Sequence, residues 1–255
     1  MTENEFYKKS LEILENFLDE SRSEIASIKT PQNWKEKLVY FQFNQAINIC
    51  YALLSNSEGS KFQNDTYVIE LSFIGTIGRL LRDIYVNIIY LKSSKFSESD
   101  MKLCWNYQIV SQKLNTIAYD FDPHFEAEIA TLKNEKKTLE SALKNIPTST
   151  IGKILDGKED KLLSITDLSS LKGFNVKKFQ NEFGYFSQFA HNTAFANYYL
   201  TEKGVRLDII AITYHRIVPY FVGIVYESLD FLNPKHPQLP DLKVHYEQII
   251  TNRWN

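Results

Sequence analysis

Apolar residues recur along this chain at helical spacing, and no stretch alternates in the manner of a half-buried strand. Phe6, Leu11, Leu14, Leu18, Ile25 and Ile28 predict a first helix over 4–28. Thr30-Pro31 ends it, because a proline lacks the N–H that a helix needs and pushes the preceding residue out of helical geometry. Leu38, Phe41, Ala46, Ile49 and Leu53 predict a second helix over 34–54, followed by a polar loop to 63. Asn64 and Asp65 are suited to cap the next helix. The stretch 66–92 is apolar on nearly every side, as a helix at the centre of a bundle should be. A further helix is predicted over 98–118, capped by Ser97 or Ser99, and another begins at Asp122-Pro123 and runs to 144. This last one carries only a narrow stripe, Ile129, Leu132, Leu139 and Leu143, amid charge, which marks an exposed helix.

Residues 146–173 break the periodicity with Pro147, Gly152, Gly157 and Gly173, and predict short helices joined by mobile loops. Helical spacing returns over 175–200, and 205–232 forms a second helix apolar nearly all round, with a bend expected at Pro219. The predicted fold is therefore an all-α, multi-helix bundle forming a single domain over 1–255. It has two central apolar helices, about 66–92 and 205–232, and a protruding helical hairpin or insertion. Residues 122–173 form that exposed helix with its irregular, mobile continuation, and 233–255 form a Pro-rich exit with a short terminal helix from 243.

Composition changes this picture little. The 29 basic and 31 acidic residues nearly cancel, which argues against broad electrostatic capture of nucleic acid and leaves room only for a local basic groove. Cys50 and Cys104 both lie in apolar helical patterns and are expected as buried free thiols. There is no signal-peptide pattern at the N-terminus, and the most apolar stretch is interrupted by His215, Arg216, Pro219 and Glu227. A cytoplasmic protein without a membrane partner is expected.

The candidate chemistry lies inside the apolar helices. At ~100° per residue, Ser72, Thr76, Arg79, Asp83, Asn87 and Tyr90 form one polar stripe on the first central helix, with Arg82 close by. Buried charges there need partners. One candidate partner is 181–199, where Ser187 and His191 share a face flanked by Gly184 and Ala194, followed by Asn192 and Tyr198. Histidine can take and return a proton near neutral pH. In the last apolar helix Asp208 and His215 lie two turns apart on one face, and the pair His215-Arg216 is read either as a structural polar cluster or as an edge of the same centre.

Other chemistries lack their residues. There is no G-x-x-x-x-G-K-[ST] loop, no H-E-x-x-H and no Cys/His cluster at zinc spacing. Asp120, Asp122 and His124 are better explained by helix capping than by metal binding. His236 and His245 are expected at the surface. No metal and no cofactor are predicted.

The pairing of G-R-L-L-R-D-I-Y-V-N in one helix with Y-F-S-Q-F-A-H-N-T in a later one resembles a group of bacterial all-helical proteins. That group is similar in turn to the HEPN superfamily, whose helical bundles often act as metal-independent ribonucleases in toxin and antiphage systems. The resemblance covers about 67–226. It implies RNA or a nucleotide as a partner and a homodimer with a cleft between subunits. In the catalytic version, His191 acts as acid or base, Arg79 and Arg82 stabilise phosphate charge, Asp83 holds an arginine, and Ser187 or Asn192 orients the substrate. Asn87, Tyr198, His215 and Arg216 complete the binding residues. The chain departs from the HEPN pattern in having no Arg followed four to six residues later by His, so any Arg–His site must be assembled from separate helices.

Two principal readings remain open. In the first, the chain is a helical interaction protein of a bacterial defence or toxin-type system. Its Arg/Asp/His cluster is then structural, and it meets a protein partner through 122–173. The alternative is a HEPN-like ribonuclease; small-ligand binding in an arginine-lined pocket, without chemistry, is a third.

Overall fold

In a computed structural model, the structure describes residues 3–57, 61–62, 66–67, 71–120, 125–190 and 207–254. Ten helices lie among them: α1 (Glu3–Ser27), α2 (Trp34–Ser57), α3 (Leu71–Lys92), α4 (Glu98–Asp120), α5 (Glu126–Leu143), α6 (Ile151–Leu155), α7 (Ile165–Leu171), α8 (Val176–Ala190), α9 (Leu207–Leu232) and α10 (Leu239–Trp254). The all-α multi-helix architecture is as expected from the periodicity. The one exception is a two-residue antiparallel pairing of β1 (Lys61–Phe62) with β2 (Thr66–Tyr67). The first central helix therefore starts at Leu71 rather than near 66, and Thr66 and Tyr67, both good strand formers, spend their backbone groups on the ladder instead. The terminal helix also starts earlier than expected. Pro240 sits in the first turn of α10, where its missing N–H leaves no bond unmade.

Local sequence sets several helix starts. Asn33 Oδ1 accepts the Glu36 N–H at 2.9 Å, while the Glu36 carboxylate accepts the Gln32 N–H at 2.7 Å. Ser97 and Asp100 exchange the same kind of reciprocal bonds at α4, and Ser164 and Asp167 at α7. Asn175 Oδ1 accepts from Lys178 N–H at the start of α8. Each arrangement satisfies N–H groups that the first turn of a helix leaves without partners.

The described residues fall into two compact units, Met1–Ile89 with Ser169–Asn255, and Tyr90–Leu168. In the first, α9 packs against α1, α2 and α10. Its core holds an aromatic cluster: Trp254 lies 5.0 Å from both Tyr220 and Phe174, 5.2 Å from Phe179 and 5.9 Å from Tyr85, between ring centroids. Helices α3 and α8 cross at two glycines. A Cβ on Gly75 would lie 2.5 Å from Phe189 Cβ, and one on Gly78 2.3 Å from the Phe186 ring.

The second unit contains α4 packed on α5, followed by the segment expected to be least regular. That segment is tied together by its own hydroxyls. Thr148 and Thr150 both donate to the Leu162 carbonyl, at 2.7 and 2.9 Å, and the Leu162 N–H donates to the Tyr90 phenol at 3.4 Å. Tyr107 donates to Leu155 O and Gln108 to Glu159 O, which fastens α4 to the loops around α6. Helix α5 buries only Leu132 and Leu143, in keeping with its narrow apolar stripe.

Candidate functional site: an arginine cluster on α3, α8, α9 and α10

Of the polar stripe of α3, Tyr90 is buried but the charged residues are not. Thr76 is exposed, Arg79, Asp83 and Asn87 are half-buried, and Arg82, off the stripe, is the buried charge at 6% exposure. Arg82 donates to Asp83 at 3.3 Å, and its guanidinium lies 5.1 Å from the Phe179 ring centroid and 4.8 Å from that of Phe183. Arg79 lies over the same Phe183 ring at 5.1 Å. Aromatic faces carry negative charge density, so two cations converge on one half-exposed ring. Along the crossing, Arg82 meets the beginning of α8 and Gly75 meets its end, so the helices run antiparallel.

A second set of charges surrounds Glu182, which is 6% exposed. Its Oε1 accepts from Arg216 Nη1 at 2.8 Å and from Arg253 Nη2 at 2.6 Å. Arg216 also stacks on Tyr185, with its guanidinium carbon 4.0 Å from the ring centroid. Tyr185 donates to Thr213 Oγ1 at 2.9 Å, and the Thr213 hydroxyl in turn donates to Ile209 O. One carboxylate thus holds two guanidiniums, and the local charge is positive. That field is felt nearby: partial burial, then Arg253 and Arg216, lower the pKa of His215. Burial and Glu182 push the Tyr220 phenol well up, with Arg82, Arg253 and Arg216 opposing them.

Sequence reasoning singled out Arg79, Arg82, Asp83, Ser187, Asn87, His215 and Arg216, and the structure places all of them in described helices. It brings together Arg79 with Arg82 over Phe183 and Arg82 with Asp83, and it leaves His215 within the electrostatic influence of Arg253 and Arg216. The Ser187 hydroxyl is buried and makes no hydrogen bond among the described residues. His191, Asn192 and Tyr198 lie outside the described residues, as do Asp122, His124 and Ala194. Glu182 and Arg253 were missed. Glu182 falls on the apolar side of α8, next to Phe179 and Phe186, and that misplaced carboxylate was the available signal. Arg253 gave none, because its partner is distant in sequence.

His236 is also not a surface residue. It is 9% exposed and pairs through Nε2 with the Glu24 carboxylate on α1, while Nδ1 accepts the Gln238 N–H at 3.3 Å. A second buried carboxylate, Glu227, pairs with Lys172 and accepts from Tyr246 at 2.8 Å, and the Tyr246 phenol in turn meets Tyr85 at 2.8 Å. Cys50 and Cys104 are free and buried, as expected. Among the described residues no cluster of three or more His, Cys, Asp or Glu could hold a metal, and no helix is long and apolar enough to cross a membrane. Comparison with protein-family models, with curated proteins and with solved structures yields no match to this chain.

Proposed function

We propose that this chain is a helical interaction protein whose Arg/Asp/His cluster, extended by Glu182, is a structural polar network. The observation that carries the reading is the engagement of the buried and half-buried cations. Arg82 is committed to Asp83 and two aromatic rings, and Arg216 and Arg253 share the Glu182 carboxylate. Groups bound in this way hold α3, α8, α9 and α10 together. The partner surface assigned to 122–173 draws support from α5, whose flank Glu126–Leu143 is mostly exposed and charged. Membership of a bacterial defence or toxin-type system rests on the resemblance of the α3 and α8 motifs alone.

The alternative, a HEPN-like metal-independent ribonuclease acting on RNA through His191, is favoured by one observation. Arg79 and Arg82 both lie over Phe183, so one phosphate could meet both charges. One experiment separates the readings. Purified chain is incubated with labelled RNA, with and without divalent cations, while Arg82→Ala, His191→Ala and Arg216→Ala are followed by urea unfolding. The structural reading expects intact RNA and lowered stability in both arginine variants. Cleavage by the wild type, abolished in His191→Ala without loss of stability, overturns it.

A further inference from the structure

Next to the Glu182 cluster, the surface of the first unit opens into a recess of about 460 Å³. Gln180, Asn181, Gly184, Tyr185 and Gln188 line it from one face of α8, and Arg216 from α9. It is broad and open to solvent rather than enclosed. The lining chemistry is specific. It contains three neutral carboxamides, each able both to donate and to accept, one cation and no carboxylate.

Arg216 is held in place but not used up. Glu182 takes Nη1 and the Tyr185 ring supports the guanidinium plane; Nε is buried, and among the described residues no group takes Nη2. Tyr185 is itself fixed by Thr213 and by edge contacts to Phe186 and Phe189 at 5.7 and 5.1 Å. The arginine is thus pre-oriented, so little side-chain freedom remains to be lost when a ligand binds. Gly184 completes the argument. A Cβ added there would meet nothing within 4 Å, unlike those at Gly75, Gly78 and Gly223, so the missing side chain leaves space in the recess rather than room for a neighbouring helix.

We propose that this recess binds a small organic acid. Its carboxylate or phosphate lies against Arg216 Nη2, and its amide-like or ring-bearing body lies against Gln180, Asn181 and Gln188. The excess positive charge of Arg216 and Arg253 over Glu182 supplies the attraction, and the carboxamides supply the selection. The site uses only the part of Arg216 that Glu182 does not hold, so it goes beyond the structural role proposed above, and its absence would leave that role intact.

Titration of the full-length chain, followed by NMR at the Gly184 backbone and the Asn181 and Gln180 side-chain amides, tests this. The probes are N-acetylglycine, inorganic phosphate and, as the neutral control, N-acetylglycinamide. At least one of the two anions is expected to give saturable shifts confined to this face, and the neutral amide none. Phosphate alone would identify the acid as a phosphate, and N-acetylglycine alone as a carboxylate. Arg216→Gln should weaken binding by about tenfold or more, the scale of one charge-assisted contact. Gly184→Leu starts from a Cβ with nothing within 4 Å and adds bulk to the lining of the recess; it should block the anions while the far-ultraviolet spectrum stays unchanged, and it serves where Arg216→Gln does not fold. No saturable shift with either anion, equal shifts with the neutral amide, or unaltered binding in Gly184→Leu overturns the proposal.

Discussion

Arg216 Nη1 lies 2.8 Å from Glu182 Oε1, and that one oxygen also receives Arg253 Nη2. Residues from α8, α9 and α10 are thereby joined at a single buried atom. Removing the carboxylate charge leaves two guanidiniums with no counter-ion. Glu182→Gln should therefore lower unfolding free energy by about 2–4 kcal/mol, short of a fully buried pair because both arginines are partly solvated. Urea unfolding measures it, and a loss indistinguishable from zero would mean that the cluster holds nothing.

Two glycine substitutions should act in opposite directions. Gly78→Ala places a Cβ 2.3 Å from the Phe186 ring, and the α3–α8 crossing must open, at a cost of about 1–3 kcal/mol. Gly184→Ala meets open space and removes a flexible residue from the middle of α8, which should stabilise by about 0.5–1 kcal/mol. Thermal melts of the two variants against the wild type should bracket it from below and above.

High pH should unfold the chain through its buried phenols. Burial, followed by Glu227 or Glu182 among the contributing charges, raises the pKa values of Tyr85, Tyr246 and Tyr220 well above the ordinary range. An unfolded tyrosine loses its proton near pH ~10. Above that pH the native state retains protons that the unfolded state has lost, so stability is unaffected by these groups below ~10 and falls steadily beyond it. Tyrosinate absorbance of the buried set should appear together with loss of helical circular dichroism, whereas independent titration before unfolding would contradict their burial.

Neither cysteine should react in the native state. Burial pushes the Cys104 thiol up to about 12, with Asp160 adding to it, and burial likewise raises Cys50 well above its ordinary value. Both are protonated at neutral pH, and the thiolate is the reactive form. A thiol reagent should therefore modify both only in denaturant; rapid modification of the folded chain would be incompatible with this environment.

Tyr246→Phe should destabilise by about 1–3 kcal/mol, because it removes a donor from the buried Glu227 carboxylate and an acceptor from Tyr85. Denaturant titration provides the measurement. A variant as stable as the wild type would mean that the Tyr246 phenol contributes nothing to holding Glu227.

Periodicity and capping residues determined the helical class and most helix bounds. They act within a few residues: an apolar stripe at helical spacing, an Asn or Ser placed to accept a first-turn N–H, a proline that stops a helix. Burial of both cysteines was legible for the same reason. What lay beyond reach was the pairing of groups far apart in the chain. Arg82 rather than the Arg79 stripe became the buried cation, and it alone of the two also meets Phe179 on α8. Glu182 found Arg253 across 71 positions, and His236 found Glu24 across the whole first unit. Local spacing sets which residues share a face of one helix. Only tertiary packing decides which faces meet, because a charge is buried wherever another helix brings it a partner.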